Sequence, residues 1–233
     1  MISRHVEYKE SRLKILCDSD FGGSAFAHLV RTYNELESYI RRDSYFRISY
    51  SPVTLKKNPP AIAVAMADAA KKTCVGPMAA VAGAIAEDVG RFLLEKGAKD
   101  VIVENGGDIF LSIMRAKTIG IHAGGSEWSD KLALKVRPKE TPCGICTSSA
   151  TVGPSISLGD ADAITVVADS AALADAAATA VGNRVRKRGG VERALRFGMK
   201  IKGVRGVLII RGGTLAAGGV LPEIVERPFT LKR

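Results

Sequence analysis

The sequence predicts an α+β fold, a mixed and largely antiparallel sheet packed by alanine-rich helices. Three observations carry this expectation. Four short apolar strand runs, 101–104, 109–114, 118–122 and Leu132–Val136, follow one another with only turns between them. Three stretches, 61–73, 77–95 and 169–183, are crowded with alanine, the best helix former. Two final strand runs, Val204–Arg211 and 214–217, flank Gly212 and Gly213, which mark a hairpin turn.

Taken in order, residues 6–17 alternate loosely and read as a hairpin about Glu10 and Ser11. From 24 to 40 the apolar residues Phe26, Leu29, Val30, Tyr33, Leu36 and Ile40 keep a helical period. Residues 45–50 read as a short strand closed by Pro52, with a loop over 56–60. Gly76 separates the first two alanine-rich helices, and Pro77 suits the first turn of the second. The turn Asn105, Gly106, Gly107, Asp108 joins two strands. Its glycines suit a tight turn, and they also leave backbone N–H groups open to a ligand. Thr147, Ser148, Ser149 and Thr151 form a hydroxyl-rich loop that can hydrogen-bond a phosphate. Residues 162–168 make a strand that leads into the helix 169–183, and 191–197 form a shorter helix. No repeat, linker or interior boundary appears, so residues 1–233 are expected to form a single domain.

Composition narrows the function. The chain has 233 residues, 46% of them hydrophobic, with a formal net charge of +10, which suits an anionic partner. Aromatics make up only 6%, too few for the interleaved basic and aromatic surface of single-strand nucleic-acid binders, so nucleic acid is a minor expectation. The charged N-terminus lacks an apolar signal core, and no run approaches the roughly 20 apolar residues of a membrane span. A cytoplasmic protein with no membrane partner is expected. Four scattered cysteines agree with a reducing compartment. The alanine-rich surface admits a homodimer.

In the helix 169–183, Asp175 and Thr179 are four residues apart and share one face, one turn from each other. A carboxylate and a hydroxyl stacked in this way offer hard oxygen ligands of the kind Mg2+ takes. The competing interpretation is an ordinary alanine-rich helix with an early acidic residue. Cys143 and Cys146 have CxxC spacing, open to a redox or sulfur-carrier role and equally to two buried structural thiols. His122 reads as a satisfied loop histidine, and 184–188 as a basic, solvated helix end.

Taken together, ENGGDI (104–109), CTSSAT (146–151) and ITVVADSAALADAAATA (164–180), in this order, resemble the ApbE-like superfamily, whose best-known members are Mg-dependent FAD:protein FMN transferases. The resemblance is clearest over 76–186. It implies a single ApbE-like domain in which Asp175 and Thr179 hold Mg2+, with the carbonyls of Ala178 and Ala79 as further ligands. It also implies that Asn105, Gly106, Gly107 and Asp108 contact FAD or FMN, beside the hydroxyls of Thr147, Ser148 and Ser149 already read as phosphate partners, and that a protein can be the substrate accepting the flavin. Two departures stand out. Val81, Ala82 and Gly83 occupy the place of the family's AKG motif, and GPSISLGDAD (153–162) that of its H-x-x-D-P segment, so both the lysine and the histidine are missing. A flavin nucleotide or related pyrophosphate bound with Mg2+, with or without transferase chemistry, is the leading expectation. The alternative is a sulfur-metabolism protein that uses Cys143 or Cys146 and lacks FMN transfer.

Overall fold

The computed structural model describes residues 1–148, 160–185 and 190–226. The chain opens with the hairpin β1 (Ile2–Tyr8) and β2 (Ser11–Cys17), then α1 (Gly22–Arg42), α2 (Ser44–Ile48), α3 (Ala61–Thr73) and α4 (Val81–Glu95), the last preceded by a 3-10 turn, Pro77–Ala80. Strands β3 (Val101–Asn105), β4 (Asp108–Ser112), β5 (Lys117–Ile121), β6 (Leu132–Val136), β7 (Cys143–Ser148) and β8 (Ala163–Ala168) follow. Helices α5 (Ala171–Gly182) and α6 (Gly190–Gly198) and strands β9 (Val204–Arg211), β10 (Thr214–Gly219) and β11 (Glu223–Glu226) complete it.

Eight strands form one sheet in the order β1-β2-β3-β4-β7-β8-β9-β10, and β11-β6-β5 form a second. Every pairing among the described strands is antiparallel. The α+β class is therefore as expected, with two sheets in place of one and no parallel pair among them. Strand residues alternate between two cores, as a period of two requires. Val101, Val103, Phe110, Cys146, Ile164 and Val166 face the helices. Ile102, Ile109, Leu111, Cys143, Ile145 and Val167 face the other way, where Leu132, Leu134, Val136 and Ile121 of the small sheet cover them.

Helix α5 is the centre of the helical layer. Ten of its twelve residues are buried, as befits a helix apolar on nearly every side. Its alanines matter because backbone approaches it from two directions. A Cβ on Gly144 of β7 would lie 2.3 Å from the Ala171 Cα, and one on Gly83 of α4 would lie 2.3 Å from the Ala171 carbonyl oxygen. Glycine at both positions lets strand and helix close on the start of α5.

Three expectations change. Residues 44–48 form a helix, not a strand, because the segment has a single anchor. Phe46 is fully buried and packs edge-on against Tyr39, while Tyr45, Ile48 and Tyr50 are exposed. A strand would have put Phe46, Ile48 and Tyr50 on one face. The helix expected over 77–95 starts as a 3-10 turn before α4. Thr147 and Ser148 belong to strand β7, not to a loop.

Candidate functional site

The two motifs that were far apart in sequence meet at the start of α5. Asp108 opens β4 directly opposite Cys146 of β7, so the carboxyl and the thiol share one face. That face is the one covered by the helices, and Asp175 of α5 comes down onto it. The Asp175 Oδ2 accepts a hydrogen bond from the Gly83 N–H at 2.9 Å, and the Ala82 N–H also favours its charged form. Asp175 therefore caps the first turn of α4, where N–H groups lack intrahelical partners.

Electrostatics at this point are unbalanced. Burial, then the Asp108 charge, push the Asp175 carboxyl well above the usual carboxylate range, against the pull of the Gly83 and Ala82 N–H groups. Burial lifts Asp108 to about 7, opposed by the Cys146 hydrogen bond. Cys146 is raised well above an ordinary thiol by burial and then by the two carboxylates, Asp108 and Asp175. Among the described residues no Lys, Arg or His is paired with either carboxylate. Two partly buried carboxylates this close, without a counter-ion among the described residues, either share protons or take up a cation.

The oxygen donors nearby suit a hard divalent cation. Thr179, one turn beyond Asp175, is half-buried, and its hydroxyl makes no hydrogen bond among the described residues. The Pro77–Ala80 turn, which carries Ala79, packs on α5. Ala178 is buried, leaving only its carbonyl as a donor. No group of three or more His, Cys, Asp or Glu that could hold a metal occurs among the described residues; what these segments carry is carboxylate, hydroxyl and carbonyl oxygens. That set matches Mg2+.

The glycine turn is open. Gly106 and Gly107 have φ of 64° and 105°, and a Cβ on Gly106 would meet nothing within 4 Å, so a ligand can reach the backbone there. Asn105, by contrast, is a strut. Its Oδ1 accepts from the Arg12 N–H at 3.3 Å, its Nδ2 donates to the Ala82 carbonyl at 3.3 Å, and it is buried. It ties β2 and β3 to the start of α4.

The remaining candidates separate by face. Thr147 is one residue past Cys146 on β7, so its side chain leaves the opposite side of the sheet, where its hydroxyl bonds the buried Thr165 hydroxyl at 2.9 Å. It satisfies a core polar group and stands apart from Asp175. Ser148 returns to the helix face. Ser149 lies outside the described residues, as does 186–188 of the basic tract. Cys143 and Cys146, three apart on a strand, also project to opposite faces, and both are buried. Burial pushes Cys143 up to about 11. His122 pairs with Asp130 at 3.0 Å in an exposed loop, away from this site.

Sequence reasoning missed Glu87. It sits one turn after Gly83 on α4, nearly buried, and its Oε2 accepts from the Ala171 N–H at 2.6 Å and the Ala172 N–H at 3.4 Å. Its Oε1 accepts from Arg91 Nε at 2.8 Å. The signal was a glutamate on the apolar side of a helical period, with an arginine four residues later.

The class is an α+β protein whose eight-stranded antiparallel sheet carries a buried alanine-rich helix, with the carboxylates of Asp108 and Asp175 brought together near its first turns. The profile of the family described as AbpE bacteria matches residues 2–202, and the chain belongs to that family. It is 40% identical over 220 residues to a UPF0280 protein of Methanocella arvoryzae, covering 94% of this chain and 89% of that one. To a UPF0280 protein of Methanocaldococcus jannaschii it is 43% identical over 229 residues, covering 96% and 93%. Among solved structures it is similar in fold to the flavin transferase ApbE from Vibrio cholerae, with a TM-score of 0.60, 12% identity and coverage of 94% and 96%. The apo flavinyl transferase ApbE of Pseudomonas stutzeri gives a TM-score of 0.60 at 12% identity, covering 94% of each chain.

Proposed function

We propose that the chain binds a flavin nucleotide, FAD or FMN, or a related pyrophosphate, through Mg2+ held between β4 and α5. The observation that carries this is the approach of Asp108 to Asp175, both partly buried, with no cationic partner among the described residues, on the helix face beside an open glycine turn. In this reading Asp175, Thr179 and the carbonyls of Ala178 and Ala79 hold the ion, and Asp108 faces it. Mg2+ supplies charge neutralisation for pyrophosphate oxygens and for a departing phosphate. The chain's own residues do the rest. The Gly83 N–H fixes Oδ2 of Asp175, and with it the carboxylate that would meet the cation. Asn105 holds the glycine turn against α4, and Gly106 and Gly107 offer backbone to the ligand.

Binding is the part the geometry supports best. Ala82 stands where the family carries its lysine, so no side-chain cation from that position reaches the phosphates. The sulfur alternative is disfavoured by geometry, because Cys143 and Cys146 are buried on opposite faces and their thiols are held protonated. Titrating the protein with FAD and following flavin fluorescence, with and without Mg2+, tests the reading: Mg-dependent quenching is expected. Failure to bind FAD, FMN and ADP under both conditions would sink it. Following AMP release in the same samples separates the two versions, since intact FAD means binding and AMP means transfer or hydrolysis.

A further inference from the structure

Glu87 and Asp175 exchange caps. Asp175, on α5, receives the Gly83 N–H of α4, and Glu87, on α4, receives the Ala171 and Ala172 N–H groups of α5. Gly83 and Glu87 are four apart, and so are Ala171 and Asp175. Each pair therefore lies one turn apart on the face its helix turns toward the other, and the helices run antiparallel past this point. Two contacts a turn apart fix both the sliding and the rotation of α5 against α4. The glycine makes this possible, since a Cβ at position 83 would lie 2.9 Å from the Asp175 Cβ. Glu87 is held in turn by Arg91, whose guanidinium makes a second contact to Oε1 at 2.6 Å and lies over the Phe110 ring.

We infer that Glu87 is a positioning residue for the cation site. It touches neither the ion nor the nucleotide. It sets where α5 stands relative to the turn and helix before it, and so the distance between Asp175 and Thr179 on one side and Ala79 on the other. This rests on the Mg2+ reading given above. A cap that only stabilised α5 would tolerate any acceptor long enough to form. A positioning cap depends on its length. Groups that orient metal ligands from behind typically change metal affinity by about 10–100-fold when altered.

The test measures Mn2+ binding by electron paramagnetic resonance, with Mg2+ as competitor, together with thermal melting. Glu87→Asp keeps the charge but shortens the arm by one methylene, and is expected to weaken Mn2+ binding about tenfold or more with a small change in melting temperature. Glu87→Gln keeps the length and an acceptor oxygen, and is expected to stay within about threefold of wild type. Leu36→Ala, in the α1 core, serves as a variant that loses stability and should leave Mn2+ affinity unchanged. Wild-type affinity in Glu87→Asp overturns the inference alone. Absence of Mn2+ binding by the wild-type chain overturns both the cation reading and the inference.

Discussion

Asp175 of α5 and Gly83 of α4 are joined by a 2.9 Å hydrogen bond across 92 residues of sequence, and the placing of the Asp175 carboxylate toward Asp108 is built on that contact. The carboxylate is held by a backbone N–H group, which every substitution except proline leaves in place. What a mutation can do is force the helices apart.

Gly83→Ala is therefore expected to destabilise the fold. The added methyl would lie 2.3 Å from the Ala171 carbonyl oxygen, which is backbone and cannot swing away. Overpacking of this kind costs about 1–3 kcal/mol. Urea unfolding should show a lower midpoint, and fluorescence a weaker Mg-dependent response to FAD. An unchanged midpoint would mean that α4 and α5 are not in close contact.

Thr179→Val and Thr147→Val should behave oppositely. If Thr179 is a cation ligand, as proposed, losing its hydroxyl should lower Mg2+ affinity while stability holds. Losing the Thr147 hydroxyl strands the buried Thr165 hydroxyl on the other face, costing about 1–3 kcal/mol and leaving Mg2+ affinity in place. Calorimetric titration and melting curves on the two proteins check both halves.

The metal-free protein should lose stability as pH rises from about 4 to 7. Asp108 is lifted to about 7 by burial, whereas in the unfolded chain an aspartate titrates near ~3.9. Across that window the folded chain keeps a proton the unfolded chain has released, so rising pH favours unfolding, and the slope vanishes above the folded value. Asp108→Asn removes this contribution. The melting-temperature difference between variant and wild type should widen from pH 5 to pH 8, and Mg2+ should narrow it in the wild type alone. A difference independent of pH would show that Asp108 is ionised throughout.

Asp88 acts with the other sign. Burial alone would raise it, but hydrogen bonds from His28 and Thr32, at 2.7 and 2.6 Å, hold it below the usual range. Its stabilisation is present at neutral pH and is lost as pH falls through that lowered value. The Arg31 guanidinium donates to the Nδ1 of His28, leaving Nε2–H to face Asp88. Thr32→Val should thus lower the melting temperature at pH 7 and much less at pH 3.

A thiol reagent tests the cysteine geometry. Cys74 is exposed and Cys17, Cys143 and Cys146 are buried. One fast-reacting thiol per native chain is expected, and four in denaturant. Rapid modification of Cys143 or Cys146 in the folded protein would revive a sulfur-handling role.

The sequence by itself determined the features that depend on local spacing. Asp175 and Thr179 share a helix face because they are four apart, Gly106 and Gly107 turn a hairpin because they tolerate positive φ, and the alanine-rich runs are helices. It also held the family resemblance, through motifs that are short and contiguous. Local spacing misread Tyr45–Tyr50, because a single buried side chain, Phe46, carries no period. Only the tertiary structure decided which groups meet. The register of β4 on β7 places Asp108 beside Cys146 and sends Thr147 and Cys143 to the far face. The packing of α4 on α5 gives Glu87 its partners, and the seating of α5 on the sheet brings two partly buried carboxylates together. Pairing register and helix contact are relations between segments dozens of residues apart, set by how two cores fill around one sheet, and no periodicity within a segment encodes them.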